Sequence, residues 1–291
     1  MIRVLGTVLA ALLGLAFGSF LNVCLSRWPA GESIVHPRSH CRKCGHTLAW
    51  WENVPLVSWI ALRGRCRGCG AWIGWRYLLV EAVVGGLWAI AAWQASGDSF
   101  EHLIFASHPV GALAIVSLKL FFLWVLAALA ILDSENLWIP DWLTLPGIAL
   151  GLLSVALQFS MGMRFFIANH GVVYGAIYWA GGVVASAALI LIIRWTYWLI
   201  RRREGLGLGD AKLMALLAAW LGLQGAILAF GLGVVVGALF ALVVLLIPSR
   251  QPGERWGQLK LPLGTFLCIG GIISALWGQP IIAAYLRWAG F

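Results

Sequence analysis

Charge is scarce in this sequence. Only 11% of its 291 residues are Asp, Glu, Lys or Arg, against 62% apolar residues, which excludes the pair of soluble domains that length alone would suggest. Carboxylates are scarcer still, 11 in all, so each one outside an obvious loop needs a physical reason. Lysine and arginine are missing altogether from Ser96 to Pro109, where Asp98 and Glu101 lie. A strongly basic start is missing too. Only Arg3 precedes a first apolar run that continues to Cys24, so that run is expected to be a retained span rather than a cleavable signal.

What is there in abundance is long apolar sequence. Runs of about 20 residues, enough to cross a hydrocarbon core of roughly 30 Å as helix, recur along the chain. Their backbone polar groups must be satisfied within each segment, which makes them helices. The expectation is an all-α polytopic membrane protein of about eight spans. They run from Val4 to Leu25, Tyr77 to Trp93, Val110 to Leu132, Trp142 to Phe159 and Gly171 to Ile200; two more share Leu213 to Pro248, divided near Gln224, and the last begins at Leu263. The formal charge of +9 orients these spans. Eight of the 20 basic residues lie between Arg27 and Arg76, four between Arg201 and Lys212 and three between Arg250 and Lys260. By the positive-inside rule those segments face the cytoplasm, and the acidic loop near Asp98 faces outward. The basic surplus is thereby spent on orientation and anionic lipid head groups, and a nucleic-acid role is not expected.

The chain leaves the bilayer once for a sizeable stretch, residues 28–76, between the first two spans. Cys41, Cys44, Cys66 and Cys69 form two CxxC pairs there, 21 residues apart, each followed at once by glycine. Four thiolates at that spacing predict a zinc site. Two disulfides are the alternative, which a reducing cytoplasmic face disfavours. With four protein ligands no position stays open for a substrate water, so the Zn²⁺ is expected to be structural. Cys24 and Cys268 read as buried small hydrophobes, and His40 and His46 as polar loop residues.

Among the carboxylates, Asp210 stands out because Gly205, Gly207 and Gly209 deliver it to the head of an apolar run. Glycines there allow a sharp turn and close approach by another element. An ionisable group at a membrane boundary is a functional candidate, while a helix cap is the plain alternative. Asp133 ends an apolar helix, where the helix dipole disfavours negative charge. Asp141, after Pro140, suits a helix start. Glu81 is expected to pair with Arg76 or reach the interface, and Lys119 lies deep enough in its span to require a partner, a cavity or an uncharged state. Because topology puts Asp133 and Asp210 at the same boundary, they are expected to form a dyad, one ionised to activate water and one protonated to polarise a carbonyl.

The residues quoted next resemble the type IV prepilin peptidases, members of the GxGD aspartic protease group that also act as N-methyltransferases. They are Phe20-Leu21-Asn22-Val23 with Arg27 and Pro29, the two CxxC pairs, Asn53 to Trp59, Leu62-Arg63-Gly64, Arg76-Tyr77 with Glu81, Asp133 with Ile139-Pro140-Asp141, and Glu204 to Leu213. The resemblance implies that Asp133 and Asp210 are the catalytic pair and that the substrate is a prepilin or pseudopilin with a basic leader, cut on the cytoplasmic side of the bacterial inner membrane after a glycine. It implies S-adenosylmethionine as methyl donor for the new N-terminus. It implies domains at 1–27, 28–76 and 77–291: first helix, zinc module and peptidase. Two places depart from the pattern: Arg42 stands where proline is usual, and Pro262-Leu263-Gly264-Thr265 replaces a common Pro-Phe-Gly-Pro. Glu32, Glu52, Glu135 and Glu204 are candidates to contact a basic leader. The rival class is an ion-coupled transporter or scaffold with a zinc-binding module, which would favour carboxylates at the membrane midplane.

Overall fold

The computed structural model describes residues 1–97, 109–160, 171–203, 206–246 and 261–290. Asp98, Glu101, Arg164, Glu204, Gly205 and the basic loop from Arg250 to Lys260 fall outside them. Among the described residues the regular elements are α1 (Ile2–Arg27), a 3-10 turn (Trp50–Asn53), α2 (Val57–Ala61), α3 (Trp75–Ala95), α4 (Pro109–Asn136), α5 (Asp141–Ser160), α6 (Gly171–Arg201), α7 (Leu208–Leu246) and α8 (Leu263–Trp288). The all-α expectation holds. Seven of these helices are long and apolar enough to cross a membrane.

The longest, α7, has 39 residues, nearly twice the length that one crossing needs at about 1.5 Å per residue. It breaks at Gly222, whose φ of 71° and ψ of 173° lie outside the helical region. Glycine alone adopts that backbone cheaply. The break comes two residues before Gln224 and yields eight apolar helical segments, as the run lengths predict. It also frees carbonyls in the preceding turn, and Trp179 Nε1 donates to one of them, Ala219 O, at 3.0 Å. Tertiary donors of this kind are what permit a broken helix in lipid.

The chain forms two compact units, residues 1–124 and 125–291, divided within α4. In the first, α1 packs along α3. Gly14 and Gly18, four residues apart, make the approach possible: a Cβ on Gly14 would lie 2.9 Å from Trp88 Cβ, and one on Gly18 2.8 Å from Glu81 Cα. Small residues at this spacing let membrane helices meet backbone to backbone. At the end of α1, buried Arg27 donates to the carbonyls of Ser33 and Pro37, each at 2.7 Å, which pins the chain as it leaves the helix. Glu81 departs from expectation. Its side chain is buried and accepts the Leu56 N–H at 2.7 Å, so it holds the loop before α2 rather than reaching for the interface.

In the second unit α7 lies against α5, α6 and α8. Its first half, from Leu213 to Ala219, is almost wholly buried. Trp220 Nε1 donates to the Gly147 carbonyl of α5 at 2.8 Å, and Ser274 Oγ of α8 to the Gly225 carbonyl at 2.9 Å. The first half of the helix that starts with the glycine-rich turn is thus buried and its neighbours bond to it.

Candidate functional site

Helix α4 continues one turn past Leu132, so Asp133 sits inside its last turn. Asp210 is the third residue of α7. Both are buried, at 6% and 8% exposure. Asp210 Oδ2 accepts the Gly207 N–H at 3.1 Å, the reach from third helical residue back to the cap position that forms half of a capping box. The capping and functional readings of Asp210 therefore concern one and the same carboxylate, with one oxygen engaged by the turn. Asp133 Oδ2 accepts the Thr265 N–H of α8 at 2.7 Å and lies 3.2 Å from Thr265 Oγ1.

One side chain ties these termini together. A Cβ on Gly209 would stand 3.2 Å from Ile139 Cβ, and one on Gly264 would stand 2.7 Å from Ile139 Cδ1 and 2.9 Å from Asp133 Cγ. Ile139 is thus wedged between the starts of α7 and α8, beside both aspartates. The Asp133 charge acts on Asp210, and the buried Cys268 thiol lies within electrostatic reach of both. Buried carboxylates that act on each other in this way can share a proton when their oxygens come together. Asp141 opens α5, as expected of a carboxylate at a helix start. It takes the Lys212 ammonium at 2.6 and 2.7 Å, and so clips the start of α5 to that of α7.

The four cysteines come together in the first unit, with all sulfurs within 4.8 Å of one another. Cys41 Sγ lies 3.9 Å from Cys69 Sγ, and Cys44 Sγ 3.9 Å from Cys66 Sγ, close to the roughly 3.8 Å edge of a tetrahedron with zinc–sulfur bonds near 2.3 Å. They are free thiols, and among the described residues they are the group that could hold a metal. Each knuckle closes alike: Gly45 N–H donates to Cys41 O at 2.9 Å and Gly70 N–H to Cys66 O at 2.8 Å, with φ of 73° and 69° at the glycines. Backbone N–H groups of Lys43 and Cys44 aimed at the Cys41 sulfur bring that thiol down to about 6, which favours the thiolate a metal needs. The two knuckles are one motif repeated 25 residues on, since the bridge His40–Thr47 recurs as Arg65–Trp72.

His46 Nε2 faces Glu52 Oε2 at 3.1 Å rather than the sulfurs. The Ala49 N–H, reinforced by His46, holds the Glu52 carboxyl below the usual range. Glu52 is only 5% exposed, so it is no surface contact for a leader; Glu32 remains exposed, 3.6 Å from Arg42. Glu52 instead lines a cavity of about 340 Å³, together with Asn22, Arg27, Trp59, Trp72 and Tyr77. Glu52 Oε1 and Asn22 Oδ1 are buried there with no hydrogen-bond partner.

Residues 12–95 match the bacterial peptidase A24 N-terminal domain, and residues 120–242 the type IV leader peptidase family. A prepilin leader peptidase/N-methyltransferase of Pseudomonas aeruginosa is 34% identical over 304 residues, covering 96% of this chain and 93% of that protein. The chain belongs to the type IV leader peptidase family. Proteins of the same description from Stutzerimonas stutzeri and Myxococcus xanthus are 35% and 40% identical, over 98% and 84% of this chain and 96% and 64% of theirs. No solved structure matches. Together with the seven apolar helices, this membership makes the chain a multi-pass membrane protein.

Some site residues escaped sequence reasoning. Ile139 and Asn22 fall inside motifs that the family resemblance rests on, but an isoleucine wedge and a cavity-facing amide have no pattern of their own. Thr265 was visible only as a departure from a usual proline.

Proposed function

We propose that this protein removes the leader peptide from prepilins or pseudopilins at the cytoplasmic face of the bacterial inner membrane, then methylates the new N-terminus. What supports the peptidase reading is that Asp133 and Asp210 are both buried at helix termini that meet at Ile139, with the charge of Asp133 acting on Asp210. One ionised carboxylate takes a proton from water, which attacks the scissile carbonyl. The protonated partner gives its hydrogen bond to the developing oxyanion. Collapse of the tetrahedral intermediate breaks the C–N bond, and a dyad proton goes to the leaving amine. Carboxylates at helix ends suit a substrate whose apolar helix lies in lipid while its basic leader stays in the cytoplasm. A transporter would favour carboxylates near midplane, whereas Asp133 lies in the last turn of α4 and Asp210 in the first turn of α7. The cytoplasmic assignment of this face rests on the basic residues from Arg27 to Arg76 and from Arg201 to Lys212.

The four thiols suit one structural Zn²⁺ in number and spacing. S-adenosylmethionine carries an ammonium and a sulfonium as well as a carboxylate, and the cavity beside the cysteine module is lined by charges of both signs, Glu32, Glu52 and Glu81 with Arg27, Arg42 and Arg67. Glu52 Oε1 and Asn22 Oδ1 are the acceptors that would hold it, with Trp59 and Trp72 offering aromatic faces to positive charge. When bound, that group supplies an activated methyl; the chain's part is to hold it and the amine together. Glu52→Gln should weaken binding of labelled S-adenosylmethionine to the full-length protein at least tenfold with prepilin cleavage intact. Unchanged binding would remove the cavity from the account.

Asp133→Asn and Asp210→Asn, each assayed for prepilin cleavage and for methylation of pre-cleaved substrate, test the whole reading. Each should lose cleavage by a factor of about 10² to 10⁴ and keep methylation. Wild-type cleavage in either variant would contradict the dyad.

A further inference from the structure

The two carboxylates of the pair are not held alike. Asp133 lies at the negative end of α4, yet the first turn of α8 is pressed against it. The Thr265 N–H reaches Oδ2 at 2.7 Å, the Gly264 N–H adds to it, and Thr265 Oγ1 stands 3.2 Å from the same oxygen and 2.9 Å from the Ala130 carbonyl. Hydrogen bonds donated to Oδ2 are stronger when that oxygen is charged, so these donors favour the carboxylate form of Asp133 over the acid. The single hydroxyl proton is divided between Oδ2 and Ala130 O. The positive end of α8 thereby offsets the unfavourable end of α4. Among the described residues Asp210 accepts one N–H, from Gly207, at 3.1 Å. A buried carboxyl with so few donors is more cheaply carried with its proton.

We propose that Thr265 is a positioning residue that fixes Asp133 as the ionised, water-activating partner and leaves Asp210 as the partner that carries the proton. This rests on the dyad reading above. The contact requires glycine before it, because a Cβ on Gly264 would stand 2.9 Å from both Asp133 Cγ and Oδ2. The titratable groups facing Asp133 are Asp210 of α7 and Cys268 of α8; Lys212 is taken up by Asp141. No cation among them substitutes for the Thr265 donors. A proline at this position would supply neither donor, yet the first turn of a helix tolerates one.

The test is the pH dependence of kcat/KM for prepilin cleavage by the full-length protein carrying Thr265→Pro, Thr265→Val or Thr265→Ser. Loss of donors to the charged form means that Asp133 is protonated, and activity lost, at a higher pH than before. Thr265→Pro should move the acid limb upward by about one pH unit. Thr265→Val, which keeps the N–H, should move it less, and Thr265→Ser should match the native profile. If Thr265→Pro does not fold, Thr265→Val against Thr265→Ser still decides. A rate lowered by one factor at every pH, with the acid limb in place, would overturn the proposal and leave Thr265 a packing residue. Should Asp133→Asn cleave at the native rate, it is the dyad reading that fails instead.

Discussion

At the residue scale, chemistry here depends on which donors reach which oxygen or sulfur. Asp133 and Asp210 are equally buried, but one is gripped by the start of α8 and the other by its own glycine turn. The cysteine sulfurs are gathered by two identical backbone turns, so removing one thiol leaves three ligands and an open position. The native protein is expected to carry about one equivalent of zinc per chain, and purified Cys41→Ser and Cys66→Ser proteins to lose it. Native metal content in both, by elemental analysis, would refute the zinc assignment. These groups were legible in the sequence to different degrees. CxxC pairs announce themselves because a metal site needs four ligands at fixed short spacing. Asp210 was conspicuous through its glycines. Nothing in the linear sequence says that the Glu52 carboxylate accepts the Ala49 N–H and lines a cavity.

At the scale of elements, apolar length and the positive-inside pattern made the helices predictable, and even the division of the long run fell within two residues of its place at Gly222. What run length could not say was which faces meet. The approach of α1 to α3 depends on Gly14 and Gly18, and Gly14→Leu would insert a side chain where a single Cβ already meets Trp88 at 2.9 Å. That overpacking should cost about 1–3 kcal/mol, read as a lowered midpoint in unfolding from detergent, whereas Gly6→Leu, at a site with nothing within 4 Å, should not. Equal midpoints for the two variants would contradict the packing described. Glu81 illustrates the same blindness. Its partner is a backbone N–H 25 residues earlier, at Leu56 with φ of 57°, and no local pattern encodes such a contact.

At the scale of the molecule, two units share the labour that the proposed function requires. The first holds the cysteine module and a cavity with unsatisfied acceptors, and the second holds the carboxylate pair under α7 and α8. Cleavage and methylation are therefore expected to be separable by substitution, although one substrate passes through both. The central claim is that Asp133 and Asp210 act as one unit, and groups that act together fail together. The most direct measurement is single-turnover prepilin cleavage by Asp133→Asn, Asp210→Asn and the double variant in the full-length protein. The predicted result is that the double variant is no slower than either single one, all three down by the same two to four orders of magnitude while still binding substrate. Losses that multiply in the double variant, or a single variant that cleaves at the native rate, would contradict it.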